Sequence, residues 1–173
     1  MNKKDSHEKR YTKTVAFLKK HIDEGARVLD LGVASNLSRR MNEHGYVVSN
    51  TQGENLDIDY QEYLDYEVDV VTAFEIFEHM LAPFNILRQL KTKKLVASVP
   101  MKLWFSNAHW NDDNEWDKHY HEFERRQFDL LLARSGWKII DSEQWISAKW
   151  KLGIRPVLRY FVPRHYIVYC ERG

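Results

Sequence analysis

Residues 27–50 limit the possible folds more than any other stretch. Arg27-Val28-Leu29-Asp30-Leu31 is a β-branched and aliphatic run that reads as a short buried strand, and Gly32-Val33-Ala34-Ser35-Asn36 is a turn of mostly small residues. A helix follows, with Leu37 and Met41 on one face, Ser35 or Asn36 placed to cap it and Gly45 to end it. Tyr46-Val47-Val48-Ser49-Asn50 is a second strand. Strand, small-residue turn, helix and strand make a βαβ unit, which opens a parallel, doubly wound sheet.

The alternation continues along the chain. Tyr11, Val15, Leu18 and Ile22 predict a helix over 6–24, stopped by Gly25. Asp69 to Thr72 reads as a strand, and Pro83 as the first residue of a helix with Phe84, Leu87 and Leu90 inward. Lys94 to Val99 is a strand stopped by Pro100; 125–135 is a helix carrying Phe128, Leu131 and Leu132 and closed by Gly136. Trp137 to Ile140 and His165 to Cys170 are the last two strands. The expected fold is α/β, a Rossmann-like three-layer sandwich in one domain spanning 1–173.

Two places break the rhythm. Between Asn50 and Asp69 a full helix and strand barely fit, so one crossover is expected to be shortened. Between Pro100 and Glu124 runs a polar and aromatic segment with Trp104, Phe105, His109, Trp110, Trp116, His119, Tyr120 and His121. Loops beyond about 12–15 residues are usually functional. This one would emerge at the carboxyl edge of the sheet, where open α/β folds bind ligands.

Composition narrows the setting. At 43% hydrophobic and 29% charged residues the chain matches ordinary globular proteins. Its apolar runs are far shorter than the roughly 18 residues of a membrane span. No apolar segment follows Met1-Asn2-Lys3-Lys4-Asp5, so no signal peptide is expected, and the single cysteine, Cys170, fits a reducing cytoplasm. Charge is uneven: Glu54 to Asp69 holds seven acids and no Lys or Arg, while Gln144 to Cys170 holds five Lys and Arg among aromatics and no acids. This pattern suits either two solvated faces of opposite sign or a basic, aromatic surface for an anionic partner.

The chemistry gathers at Asp69-Val70-Val71-Thr72-Ala73-Phe74-Glu75-Ile76-Phe77-Glu78-His79. An apolar strand ends there in two carboxylates and an imidazole. If the chain turns helical at Glu75, spacings of three and four put Glu75, Glu78 and His79 on one helix face.

Val28-Leu29-Asp30-Leu31-Gly32 resembles the first motif of class I S-adenosylmethionine-dependent methyltransferases, of the small type-11/12-like group. The strand running into Glu75-Ile76-Phe77-Glu78-His79 is similar to the family's fourth-strand motif. His121-Glu122-Phe123, before a helix ending Ser135-Gly136-Trp137, resembles its late His-x-Phe segment. Tyr166 to Glu171 resembles its antiparallel last strand. The resemblance covers most of the chain and implies a mostly parallel sheet with S-adenosylmethionine bound at the carboxyl ends of its strands. It implies cofactor contacts at Asp30, Gly32, Ala34, Asn50, Asp57 and Phe74, with Asp57 facing the adenine amino group. The chain departs from the pattern twice. The family's Gly-x-Gly-x-Gly has become Gly32-Val33-Ala34-Ser35-Asn36, and Asn50 stands where an acid would hold the ribose hydroxyls.

Two branches of the family, ubiquinone-pathway O-methyltransferases and RNA 3′-terminal 2′-O-methyltransferases, carry this Glu-x-x-Glu-His as metal ligands. That likeness implies a divalent ion on Glu75, Glu78, His79 and His121. The candidate catalytic residues are Glu75, His79 and His121; without a metal, Glu75 or a loop histidine (His109, His119 or His121) would remove the acceptor's proton. The function expected is methyl transfer to a small-molecule acceptor, at oxygen. The alternatives are a methyltransferase fold that binds without catalysing, motivated by the altered glycine turn and Asn50, and an RNA 2′-O-methyltransferase, motivated by the basic segment and the late histidine. A small-molecule acceptor is expected ahead of nucleic acid.

Overall fold

A computed structural model describes residues 3–146, 158 and 161–173. The elements run α1 (Lys3–His21), β1 (Arg27–Asp30), α2 (Asn36–Glu43), β2 (Val47–Asn50), β3 (Val70–Phe74), α3 (Pro83–Gln89), β4 (Lys94–Pro100), α4 (Arg125–Arg134), β5 (Trp137–Trp145) and β6 (His165–Arg172). The six strands form one sheet in the order β2-β1-β3-β4-β6-β5. β2, β1, β3 and β4 are mutually parallel, and β6 runs antiparallel to both β4 and β5. The α/β sandwich with an antiparallel last strand is the architecture the sequence leads one to expect.

Alternation along the strands builds two cores. Val28, Val70, Val96 and Ile167 join Val15, Leu18, Leu37 and Met41 on one face, under α1 and α2. Their neighbours Leu29, Val71, Leu95, Ala97 and Val168 point the other way, against Ile86, Leu87, Phe128 and Leu132 of α3 and α4. Near-continuous burial of β3 and β4 follows from helices covering both faces. In α3, Ile86 is fully buried while Phe84 stays half-buried, so the inward stripe is Ile86, Leu87 and Leu90 rather than Phe84, Leu87 and Leu90.

The crossover between Asn50 and Val70 is short, as expected. In place of a helix and strand it holds only a 3₁₀ turn over Gln61–Asp65, pinned by buried Tyr60 and Tyr63. Elsewhere β5 extends to Trp145, further than Ile140, with a register irregularity between Ile139 and Asp141. No helix among the described residues is long and apolar enough to cross a membrane. Of the basic, aromatic stretch from Gln144 to Cys170, four of the five Lys and Arg residues (Lys149, Lys151, Arg155 and Arg159) lie outside the described residues.

Candidate functional site

The carboxyl ends of β1 and β3 open into a cavity of about 420 Å³. One wall is Gly32, Val33, Thr51 and the segment Gly53–Asp57; the other is Glu75, Ile76, His79 and Met80, with Trp116 at the rim.

The first wall is built on Gly32. Its φ of 144° is one that L side chains rarely adopt, and a Cβ there would meet Ile76 Cδ1 at 3.0 Å across the cavity. The turn is held open by polar groups beneath it. Gly32 N–H donates to Thr51 Oγ1 at 2.8 Å, and Asn50 Nδ2 donates to the Gly32 carbonyl at 2.9 Å. Ser35 caps α2, accepting from the amides of Leu37 and Ser38, while its own N–H donates to Ser38 Oγ. Asp30 lies buried below, accepting from Thr72 Oγ1 at 2.7 Å, Asn50 Nδ2 at 3.1 Å and Ser38 Oγ at 3.2 Å. Burial outweighs these bonds and pushes its carboxyl up to about 6.

The geometry separates the residues expected to contact a cofactor. Gly32 and Asp57 line the cavity. Asp30, Ala34, Asn50 and Phe74 do not. Asp30 and Asn50 bond to each other beneath the turn, Ala34 is exposed, and Phe74 packs against the α1 side of the sheet. Asp57 accepts the amides of Leu81 and Ala82, each at 2.7 Å, and so fixes the entry to α3. Residues not singled out by sequence join the wall: Thr51, Gly53, Ile76, Met80 and Glu54. Glu54 Oε2 accepts the Gln52 amide at 2.9 Å, while Oε1 is buried without a hydrogen-bond partner. It is an acid four residues past Asn50, hidden in sequence among the other acids of its run.

The second wall departs from the expected helix. Glu75 adopts φ 59°, a left-handed residue immediately after β3, and only Phe77–His79 make a 3₁₀ turn. The shared helix face therefore does not form, and the two acids part. Glu75 turns toward α1 and β6: its Oε2 is 3.0 Å from Arg10 Nη1 and 3.7 Å from His165 Nδ1, and its Oε1 accepts from Ser98 Oγ at 3.2 Å. Burial would raise its carboxyl, but His165 and Arg10 outweigh burial and hold it at about 2. Glu78 is only 1% exposed, with Oε2 lacking a hydrogen-bond partner, and burial followed by the nearby Glu75 charge pushes its carboxyl well above the usual range.

Glu78 faces two imidazoles. Ligand atoms of Glu78, His79 and His119 lie within 4.8 Å of one another. His79 Nδ1 donates to the Lys118 carbonyl at 3.0 Å and His119 Nδ1 to Glu122 Oε1 at 3.0 Å, which leaves the Nε2 atom of each neutral ring as an acceptor. Burial holds the His119 pKa below its ordinary value. His121 is not in this group: its Nε2 donates to the Leu81 carbonyl at 3.2 Å and its ring stacks on Phe123. The chain bends sharply at residues 119–121, where Tyr120 and His121 both donate their amides to the Glu78 carbonyl, and the bend turns His119 rather than His121 inward. The four residues expected to share a metal thus divide, with Glu78 and His79 together and Glu75 and His121 apart from them.

No protein-family model matches the sequence, and no curated protein matches it. The architecture has many solved counterparts. It is similar to Burkholderia thailandensis 1,6-didemethyltoxoflavin-N1-methyltransferase, solved with its substrate and S-adenosylhomocysteine (TM-score 0.65, 14% identity, 94% of this chain and 78% of that one). It is also similar to magnesium protoporphyrin IX methyltransferase from Synechocystis with bound S-adenosylhomocysteine (0.62, 15%, 97% and 84%). The [4+2]-cyclase SpnF is a further likeness (0.57, 13%, 94% and 81%). The fold is that of the class I S-adenosylmethionine-dependent methyltransferases. Identities this low carry the fold and not the reaction, as the cyclase among them illustrates.

Proposed function

We propose that the protein is an S-adenosylmethionine-dependent methyltransferase acting at oxygen on a small-molecule acceptor. One observation carries this reading: the turn after β1 keeps a glycine at φ 144° whose missing side chain leaves the cavity open toward Ile76. Close approach of a ligand to backbone is what the first motif of this fold requires, and the turn retains it after losing its other glycines. Gly32 and Thr51 would cradle the amino-acid end of the cofactor. Glu54, rather than Asn50, would present a carboxylate to the ribose hydroxyls, and Asp57, Leu56 and Met80 would border the base. Bound there, S-adenosylmethionine supplies an electrophilic methyl group.

The chain's own contribution is positioning and proton removal. His79 lines the cavity, and its Nδ1–H bond to Lys118 fixes the tautomer, so its Nε2 is the atom that takes the acceptor's hydroxyl proton. Glu75 stays ionised and paired, which suits it to orienting charge rather than to moving a proton. Calorimetric titration with S-adenosylmethionine and S-adenosylhomocysteine tests the reading. Saturable heat and a rise in melting temperature are expected; absence of both would overturn it.

A second reading concerns a metal. Two imidazole Nε2 atoms, each with its Nδ1–H anchored to an oxygen, beside an unpartnered carboxylate oxygen, match the usual support of a divalent site. Glu78, His79 and His119 would hold it, a set that suits Zn²⁺, Fe²⁺ or Mn²⁺ better than Mg²⁺. Such an ion supplies Lewis acidity toward the acceptor hydroxyl. Glu78→Ala combined with His79→Ala is expected to abolish divalent-metal binding by elemental analysis and calorimetry. Equal metal content in the wild type and the variant disposes of the site.

A further inference from the structure

The segment between β4 and α4 builds a hairpin over 109–119, bridged between Trp110 and Lys118 and closed by the His119 N–H donating to the His109 carbonyl at 2.9 Å. Its tip is tied internally. Asn111 Nδ2 donates to Asp117 Oδ2 at 3.0 Å, His109 Nε2 to Asp117 Oδ1 at 2.9 Å and the Trp116 N–H to Asn114 Oδ1 at 3.0 Å. Its base is fastened to the second wall of the cavity, where the Lys118 carbonyl accepts from His79 and the Tyr120 N–H donates to the Glu78 carbonyl at 2.8 Å. This bonding presents Trp116 at the cavity rim, with the residue 59% exposed.

Trp104 and Trp110 are exposed on the same segment but are not among the residues that line the cavity. Across the rim stand Val33 and Gly53, packed so closely that a Cβ on Gly53 would meet Val33 Cγ1 at 3.1 Å. A half-bare indole and an exposed Val33 on one cavity suit a flat, apolar-faced ring that would bury both. With the amino-acid end of S-adenosylmethionine at Gly32 and Thr51, as proposed above, its flat end is left for the Gly53–Asp57 segment and the rim.

The geometry points to Trp116 as the cover of the cofactor's adenine, contributed by the acceptor-side hairpin rather than by the β1–β2 wall. This assignment rests on the reading that the cavity takes S-adenosylmethionine. Because the hairpin is rooted on Glu78 and His79, covering the base is mechanically tied to the segment where the acceptor reacts.

Calorimetry and tryptophan fluorescence on the full chain test this, with S-adenosylhomocysteine and adenosine as probes. S-Adenosylhomocysteine is expected to quench emission in the wild type, with that change lost in Trp116→Phe. Trp116→Ala is expected to weaken both probes by roughly 5- to 10-fold, the scale of one aromatic stacking contact. Trp104→Ala, on the same segment but away from the cavity, is expected to leave both affinities unchanged. If the wild type binds and Trp116→Ala binds equally well, or if Trp116→Phe keeps the full quenching, the assignment of Trp116 falls alone. If the wild type binds neither probe, the cofactor reading falls and takes Trp116 with it. Trp116→Phe keeps an aromatic ring at an exposed position, so its fluorescence decides the matter even if the alanine variant is unstable.

Discussion

The two walls of the cavity are polar in different ways. Under the β1–β2 wall, Asp30, Ser38, Asn50 and Thr72 turn their polar atoms toward one another. That network sets the backbone of the turn, and the wall above it places the Thr51, Glu54 and Asp57 side chains beside the gap at Gly32. Across the cavity, half-buried Glu75 and fully buried Glu78 are carboxyl groups whose environments push them in opposite directions, one held at about 2 and the other raised well above its usual range. Glu78 Oε2 and His165 Nδ1 there lack hydrogen-bond partners. The first network satisfies its own polar atoms, whereas the second sets side by side two carboxyl groups whose surroundings push their pKa values apart.

The sharpest way to break the contrast is to fill the gap. Gly32→Val puts a β-branched side chain at φ 144° and against Ile76, so strain and lost volume act together. S-adenosylhomocysteine affinity is expected to fall by about 100-fold or more, some 3 kcal/mol of strain and exclusion combined. Calorimetry reads it directly, and a variant that binds as tightly as the wild type would show that ligands do not approach this turn.

On the other wall the corresponding change is Arg10→Ala. It removes the 3.0 Å partner of a carboxylate whose residue is otherwise closed in by Ser98 and His165. Arg10 is 23% exposed at its side chain, so the loss is expected near the lower end for a buried pair, about 3 kcal/mol at pH 7 by urea unfolding. The pH dependence carries the sign. Glu75 is depressed, so its stabilisation is present above its ordinary range near 4.5 and is lost as pH falls toward about 2. The wild type and Arg10→Ala should therefore converge in stability between pH 4 and pH 2. A gap that stays constant over that range would mean Arg10 acts by packing alone.

The sequence made the scaffold readable for a physical reason. Strand and helix periodicities and the breaks at Gly45, Pro83 and Gly136 are local signals, and they locate the sheet and its shortened crossover. The resemblance carried by Val28 to Gly32 and by Glu75 to His79 pointed to the strand ends where the cavity lies. What it could not place was set by single torsions and long-range packing. The left-handed turn at Glu75 sends that side chain to Arg10, far away in sequence, and a bend at residues 119–121 brings in His119 where the family pattern suggested His121. Asn50 stands at the expected position but bonds inward, because the buried carboxylate of Asp30 competes for its amide. Trp116 and Glu54 left no local trace, one being among several loop aromatics and the other in an acidic run.

The smallest expected effect belongs to Asp30 and bears on whether the first wall is a neutral network. Its carboxyl is raised to about 6, so the folded state holds the proton more tightly than the unfolded chain does. Stability from this group therefore falls as pH rises from about 4 to 6, the reverse of the Glu75 case. Between pH 5 and pH 7 the loss is roughly 1 kcal/mol. Asp30→Asn removes the titration but sets its own NH₂ against Asn50 Nδ2, so its absolute stability is expected to drop as well. The informative quantity is the difference in slope: other titrating groups are common to both proteins and cancel, leaving Asp30. Urea unfolding at pH 5, 6 and 7 should show the wild type losing stability faster than the variant. Parallel profiles would mean that Asp30 is ionised throughout and that the turn sits on a buried charge, with both walls then resting on the same kind of electrostatics.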